Sequence, residues 1–168
     1  AARAGAGMEE AAASGSWSPQ INLGTSVLIP EAYVTDLNVR LGLYRRLAEI
    51  EDGKAQEAFA AELVDRFGPL PPEVENLLQV MTIKRLCRQA GVEKLDAGPK
   101  GATVSFRENS FSNPLALVRL IERSKGALKL RPDHKLLCRG HWDEPPQRVR
   151  GARALLERLV QASEQAAA

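Results

Sequence analysis

Cysteines and aromatic residues are both scarce in this sequence of 168 residues. Two cysteines, Cys87 and Cys138, cannot hold together a disulfide-dense secreted fold, so we expect a reducing, cytoplasmic setting. Aromatic residues make up only 5% of the chain, which leaves few side chains for stacking on nucleic-acid bases. No run reaches the roughly 18 apolar residues that span a bilayer, and the first residues lack the basic-then-apolar order of a signal peptide. These absences exclude the membrane and disulfide-rich secreted classes.

Catalytic and metal-binding motifs are also missing. No serine lies in a Gly-x-Ser-x-Gly turn, and no glycine-rich loop leads into a Lys-Ser or Lys-Thr pair that could cradle a nucleotide phosphate. Cys138 and His141 have a short spacing, but no second close pair completes the four ligands of a structural zinc site. Cys87 falls on a helix interior and is typical of a small core residue. We therefore expect no enzyme activity, metal or cofactor in this chain.

The charge is nearly balanced, with a formal net value of +2, but it is unevenly distributed. Residues 107–158 contain 12 Lys and Arg against 6 Asp and Glu, whereas residues 36–95 contain 9 against 10. The basic half could face phosphates. These charges are scattered along the sequence, and Phe106, Phe111 and Trp142 are the only nearby aromatic side chains that could stack on bases. A solvated surface therefore explains most of the basic residues. An accessory nucleic-acid-binding role for 107–158 stays open as an alternative.

The first half of the chain has helical periodicity after a polar start. Residues 1–19 are rich in Ala, Gly and Ser and are predicted to be a tail or linker, followed by a short extended segment over 21–30. Three helices are then predicted, near 36–50, 54–67 and 71–90. The first is expected to bury a face that contains Leu37, Leu41, Tyr44 and Leu47. The third carries apolar residues on more than one face and is expected to be central.

After Gly91 the pattern changes to two hairpins, each followed by a helix. The strands are predicted over 92–96 with 102–107 and over 127–131 with 135–139. The helices are predicted from Asn113 to about 125 and from 145 to about 162. The predicted fold class is α+β: three N-terminal helices, then a ββαββα unit with an antiparallel four-stranded sheet. The predicted organisation is a tail over 1–19, a single domain over 20–162 and a C-terminal tail over 163–168.

One acidic pair on the second helix has two possible interpretations. Glu62 and Asp65 are three residues apart and share a helical face, and Arg66 lies four residues after Glu62. A solvated, self-neutralised face would contribute about 0–1 kcal/mol per ion pair. The alternative is an acidic patch that accepts hydrogen bonds from arginines of a partner. The residues alone favour the solvated face.

The chain resembles the C-terminal domain of the bacterial transcription-repair coupling factors over about residues 17–162. The resemblance lies in Ile21-Asn-Leu-Gly24, in Leu28-Ile-Pro-Glu-Ala-Tyr-Val34, in the run from Leu37 to Arg46 and in residues 61–72. Its most specific part is Glu62-Leu-Val-Asp-Arg-Phe-Gly68. Residues 8–12 resemble the end of the preceding motor module only weakly. Since position 1 is not Met, we expect the chain to be part of a longer protein.

This resemblance implies a role that residue chemistry does not supply. Proteins of the family are ATP-driven DNA translocases that dislodge stalled RNA polymerase and recruit excision repair, with the ATP and Mg site upstream of this domain. The C-terminal domain is implied to dock intramolecularly on a UvrB-like N-terminal module and to mask its UvrA-binding surface. The helix with Glu62, Asp65 and Arg66 is implied to form part of that contact. A purely structural cap on the motor is a further alternative.

Overall fold

The computed structural model describes residues 17–165, so all but the last three residues of the tail predicted over 1–19 lie outside the described range. This part of the chain contains five α-helices and five β-strands, in the order one strand, three helices, two strands, a helix, two strands and a helix. The helices are α1 (Leu37–Glu49), α2 (Gly53–Phe67), α3 (Pro72–Ala90), α4 (Pro114–Arg123) and α5 (Pro145–Glu164). The strands are β1 (Gln20–Asn22), β2 (Val92–Gly98), β3 (Gly101–Phe106), β4 (Leu128–Leu130) and β5 (Leu136–Arg139).

Local capping explains where several helices begin and end. The carboxylate of Asp36 accepts a hydrogen bond from the backbone N–H of Val39, as expected for an N-cap. Asn113 caps α4 in the same way through the N–H of Ala116. Helix α3 begins at Pro72 and ends at Gly91, which adopts a left-handed conformation with φ 72°. The predicted helix boundaries are therefore confirmed to within a few residues.

Helices α1 and α2 and the first half of α3 enclose a small apolar core, which we name the helical lobe. The predicted buried face of α1 is wrong in its first turns. Leu37 is 57% and Leu41 45% exposed, whereas Leu43 and Leu47 are buried. The buried members of this core are Ile29, Val34, Leu43, Leu47, Phe59, Leu63, Val74 and Leu78.

The second core, which we name the sheet lobe, lies between the sheet and the helices that pack on it. Helix α3 belongs to both lobes, because Leu78 packs in the helical lobe and Ile83 and Cys87 pack in the sheet lobe. This confirms the prediction that the third helix is central. The side chains of Val149, Leu155, Leu156 and Leu159 line the inner face of α5, as predicted.

The sheet has five strands in the order β1-β2-β3-β5-β4, so the prediction of a four-stranded sheet is wrong. The extra strand is β1, which pairs in parallel with β2, Gln20 lying opposite Lys94. The other three pairings are antiparallel. The sequence around β1 is short and contains Gly24 and Pro30, so it predicts extended chain but not the distant partner that makes it a strand.

Successive side chains of each strand point to opposite faces of the sheet, which gives the sheet one apolar and one polar face. One inner row contains Ile21, Leu95, Val104 and Leu136, which are paired across the strands. Residues of the opposite parity, such as Lys94, Asp96, Thr103 and Lys129, lie on the other face and are at least partly exposed. In the described part of the chain, helices α3, α4 and α5 pack against the sheet.

The C-terminal helix is fixed to the sheet lobe by Trp142 and Arg148. A Cβ atom at Gly140 or Gly151 would lie about 2.5 Å or less from the Trp142 indole, so both positions are restricted to glycine while the ring stays there. The guanidinium of Arg148 donates to the carbonyls of Trp142, Leu23, Gly24 and Asp143 over 2.9–3.3 Å. Through these bonds α5 holds the segment that follows β1.

Candidate docking site

The second helix presents the three residues singled out by the sequence. Helix α2 begins after Asp52, whose carboxylate accepts a 2.7 Å hydrogen bond from the N–H of Ala55. It ends at Gly68, where φ is 96°. Phe59 and Leu63 are 3% and 0% exposed and anchor one side of the helix in the core of the helical lobe. The remaining sides of α2 are available for contacts outside the core.

Glu62 lies at the edge of this anchored side and is bound by two arginines. Arg46 of α1 donates through Nη1 to Oε2 at 2.6 Å and through Nη2 to Oε1 at 2.8 Å. Arg66 donates through Nη1 to Oε2 at 3.1 Å, which confirms the predicted i, i+4 pair. The two-pronged contact from Arg46 is the strong geometry for an arginine and a carboxylate. It was not predicted, because Arg46 belongs to a different helix.

The two arginines change the acidity of this carboxyl group. Hydrogen bonds from Arg46 first, and from Arg66 second, lower the pKa of Glu62 from its ordinary value of 4.5 to about 2. The same contact raises the pKa of Arg46. Hydrogen bonding to the charged form favours that form. Glu62 is therefore ionised, and paired, at every physiological pH.

Aromatic rings support both arginines and the end of the helix. The Arg46 guanidinium lies 5.1 Å from the centre of the Phe59 ring, and that of Arg66 lies 4.8 Å from the centre of the Phe67 ring. Both distances are in the range of cation–π contacts. The Tyr33 hydroxyl donates to the carbonyls of Leu63 at 3.1 Å and Gly68 at 2.7 Å. The C-terminal turn of α2 is thus held in one orientation.

Asp65 differs from Glu62 in both exposure and pairing. Its side chain is exposed, and its carboxylate forms no hydrogen bond or ion pair with any residue of the described range 17–165. The neighbouring Val64 is 46% exposed and is one of several large apolar side chains on the described surface. The structure therefore brings Glu62 and Arg66 together and leaves Asp65 as an unpaired acid beside an apolar side chain.

The basic residues of 107–158 are spread over several surfaces. Lys129 lies on the uncovered face of the sheet, whereas Arg119 and Arg150 are exposed on helices that cover the other face. Others have partners within the chain. Arg131 pairs with Asp133, Arg153 pairs with Glu157, and Arg148 donates to backbone carbonyls. The basic residues placed here therefore do not share one surface of the described chain.

The thiols are buried and separate. Burial raises the pKa of Cys87 to about 12 and also raises that of Cys138, so both are protonated core side chains. Within residues 17–165 there is no group of three or more His, Cys, Asp or Glu side chains that could hold a metal ion. No helix in that range is both long enough and apolar enough to cross a bilayer.

Comparison with known proteins identifies similar chains. The model of the TRCF domain family matches residues 23–117. The transcription-repair-coupling factor of Rickettsia bellii is 40% identical over 119 residues, which are 71% of this chain and 10% of that protein. That of Myxococcus xanthus is 32% identical over 121 residues, 72% of this chain and 10% of that protein. That of Escherichia coli is 27% identical over 140 residues, 83% of this chain and 12% of that protein. The chain thus spans about a tenth of these curated relatives.

A solved structure has the same fold. A crystal structure of the C-terminal domain of transcription-repair coupling factor superimposes with a TM-score of 0.73 and 18% sequence identity. The match covers 88% of this chain and 94% of that chain. At this identity the likeness concerns the fold, a mixed α/β arrangement with five helices and a five-stranded sheet in the described part of this chain.

Proposed function

The chain belongs to the TRCF domain family, and we propose that it is a regulatory docking domain of a transcription-repair coupling factor. In this proposal it docks on the UvrB-like N-terminal module of the same protein and masks the surface that binds UvrA. It thereby restrains a cytoplasmic DNA translocase until RNA polymerase is engaged. ATP and Mg are bound by the motor of the longer protein, and this domain contributes contacts but no catalysis.

The observation that carries this proposal is the exposed side of α2. Asp65 is an unpaired carboxylate next to the exposed side chain of Val64, on a helix whose other side is fixed in a core. Charge supplies orientation and selectivity in an interface, and adjacent apolar surface supplies favourable burial. A small acidic and apolar surface of this kind suits a basic partner module from which it must later separate.

A polar contact also suits reversible inhibition. Exposed ion pairs contribute only about 0–1 kcal/mol each, so a few of them give a closed state that can reopen. An effector shifts such an equilibrium only by binding the open form more tightly than the closed form. Engagement of RNA polymerase and DNA by the longer protein would provide that difference. A closing free energy of a few kcal/mol keeps the closed state dominant and still accessible to release.

The direct test is binding of this chain to a separately produced UvrB-like module. Titration calorimetry or fluorescence anisotropy compares the wild type with the double variant Glu62→Ala, Asp65→Ala. We expect weak binding by the wild type, because the natural contact is tethered and gains effective concentration. The double variant should bind at least about tenfold more weakly, as expected for loss of a charged contact. Equal binding by the wild type and the double variant would show that the contact lies on another surface of the domain.

A second experiment examines the consequence for the longer protein. Removal of residues 17–162 from the transcription-repair coupling factor that contains them should strengthen its binding to UvrA and raise its basal ATPase activity. Unchanged UvrA binding would argue against a masking role. A structural cap predicts instead that the domain matters for stability while substitutions at Glu62 and Asp65 leave UvrA binding and ATPase activity as they are.

The alternative role in nucleic-acid binding is tested with the isolated chain used for the binding experiment. Duplex binding that weakens steeply with salt would support phosphate contacts by residues 107–158. Because the structure distributes these basic residues over opposite surfaces, we expect weak binding without a defined site. Saturable duplex binding together with no binding to the UvrB-like module would favour this alternative over docking.

A further inference from the structure

Two arginines lie next to each other where the helical lobe joins the sheet lobe, away from the candidate docking site. Arg85 of α3 donates through Nη1 to Oε1 of Gln56 at 2.7 Å and through Nη2 to Oγ1 of Thr82 at 3.4 Å. Arg153 of α5 donates through Nη1 to Oε1 of Gln79 at 3.0 Å. Gln79 and Thr82 are three residues apart on α3 and are therefore neighbours on its surface. The two guanidinium groups are consequently held at adjacent positions of that helix.

The positive charges of this arginine pair repel each other, and the acidity of Arg85 reflects it. Burial lowers the pKa of the Arg85 guanidinium, the charge of Asp52 raises it, and the charge of Arg153 lowers it again. A guanidinium nevertheless stays protonated in proteins, so both groups keep their charge and the repulsion costs free energy. An anion placed between them would favour both charged forms and remove that cost.

Both guanidinium groups also retain hydrogen-bond donors. An arginine carries five N–H groups. Within residues 17–165, Arg85 uses one donor on Nη1 and one on Nη2, and Arg153 uses Nε and one donor on Nη1. Three donors on each side chain therefore have no acceptor in the described chain. Arginine donors of this kind match the oxygens of a phosphate group, to which they form short, charge-assisted hydrogen bonds.

The acidic side chains around the arginine pair leave the terminal nitrogens of both arginines accessible to a ligand. The Asp52 carboxylate accepts from the N–H of Ala55 as the N-cap of α2. Glu157 lies one turn after Arg153 on α5 and accepts from Nε of that arginine at 3.0 Å. Glu75 lines the groove beside the pair from the side of α3. In the described chain, none of these three acids bonds to a terminal nitrogen of either arginine.

A groove between α3 and α5 gives a ligand room beside the arginine pair. Its volume is about 460 Å³, and Arg153 and Gln79 line it together with Arg150. Arg150 is exposed and forms no hydrogen bond or ion pair with residues 17–165, so its charge adds to the attraction for an anion. The buried side chains of Leu78 and Val149 also line the groove and give it an apolar part. Sites for small ligands combine apolar surface with a few polar groups in this way.

We propose that Arg85 and Arg153 form a binding site for a phosphate group, either free phosphate or the phosphate of a small ester whose remainder lies in the groove. The phosphate oxygens accept hydrogen bonds from both guanidinium groups and thereby connect α3 to α5. Because such a ligand binds the folded chain and not the unfolded one, it stabilises the fold. The site lies apart from Glu62 and Asp65, so it is independent of the docking function proposed above.

Thermal unfolding of the full chain in inorganic phosphate tests this site, with sodium chloride of equal ionic strength as the reference. Phosphate at several times its dissociation constant should raise the unfolding temperature of the wild type by about 2–4 °C above the reference. Arg85→Gln and Arg153→Gln should each lose most of this rise. Arg119→Gln, which removes one exposed charge from α4, is the matched control and should keep it. The same unfolding temperature in phosphate and chloride, or an undiminished rise in either site variant, overturns the proposal.

Nuclear magnetic resonance locates the site without relying on the stability of the variants. During a phosphate titration of the wild type, the backbone amides of Gln79 and Thr82 should shift and reach saturation, while that of Asp65 stays unchanged. Shifts spread over all basic surfaces without saturation would overturn the proposal. Phenyl phosphate, whose ring suits the apolar part of the groove, distinguishes the two sources. Tighter binding than inorganic phosphate supports a phosphate ester as the ligand, and equal or weaker binding supports free phosphate.

Discussion

The helical lobe and the sheet lobe differ in the size of their apolar cores. Among residues 17–165, the sheet lobe buries 23 apolar residues in one cluster and the helical lobe buries eight. The helical lobe adds polar bridges between its elements: Tyr33 holds the end of α2, Arg46 joins α1 to α2, and Gln56 bonds to Thr82 and Arg85 of α3. A small core therefore relies on specific hydrogen bonds for orientation. The candidate docking site lies on the lobe with the smaller apolar core.

The largest expected effect comes from truncating one buried leucine in each lobe. Leu63→Ala and Leu156→Ala each remove a fully buried side chain and should lower the free energy of unfolding by about 2–5 kcal/mol. Because α3 contributes to both cores, we expect each variant to unfold in a single transition. Urea denaturation followed by circular dichroism measures both properties. Two separate transitions in Leu63→Ala would show that the lobes fold independently.

A smaller effect on stability is expected from removing the guanidinium of Arg148, which joins α5 to the segment that follows β1. Arg148→Ala removes the donors to four backbone carbonyls and should cost about 1–3 kcal/mol of unfolding free energy. Hydrogen exchange should show loss of protection in β1 and the loop after it, with the amides of α2 unchanged. Arg150→Ala is the matched control, because its side chain is exposed on the same helix. Equal destabilisation by both would contradict this role of Arg148.

Lowering the pH should remove a stabilising contribution that belongs to the helical lobe. The pKa of Glu62 is lowered from 4.5 to about 2 in the folded chain, so its ionised form stabilises folding above pH 4.5. That contribution falls as the pH decreases from 4.5 towards 2. We expect the wild type to exceed Glu62→Gln in urea midpoint at pH 7 and to lose this advantage near pH 2. An advantage that is independent of pH would rule out the charged bridge.

The smallest expected signal is thiol reactivity, and it reports on the sheet lobe alone. Both cysteines belong to the sheet-lobe cluster, and burial raises the pKa of each, that of Cys87 to about 12. Native protein should therefore react with a thiol reagent at pH 8 only as fast as this lobe opens. Reaction of either cysteine during mixing would show that its surroundings are open. Leu63→Ala should accelerate labelling only if the lobes are coupled through α3.

Local signals in the sequence predicted much of this fold. The helix starts at Asp36 and Asn113 were predicted correctly, and the caps that fix them act within three residues. The family resemblance is also confirmed by the match to the TRCF domain. The error on α1 arose because Leu41 and Leu47 fit one helical stripe and Leu43 and Leu47 fit another. Only the packing of the other elements selects the stripe that is buried.

Features that join distant parts of the chain were not predictable in this way. The parallel pairing of Gln20 with Lys94 depends on where three intervening helices bring the strand back. The contact of Arg46 with Glu62 depends on how α1 turns into α2. The sequence identified Glu62, Asp65 and Arg66 as candidates, but the unequal pairing of the two acids emerges from the tertiary structure. The roles assigned to these residues in docking stay predictions.

The helix shared by the two lobes also has a mechanical meaning. Helix α3 has 19 residues, which at 1.5 Å per residue make a rod of roughly 28 Å. The lobes are therefore joined by a continuous stiff member, with no pliable linker between their cores. A rigid-body movement of the sheet lobe would therefore carry α1 and α2 with it. In the docking proposed above, the surface of α2 would then leave a partner as a unit, with its own shape preserved.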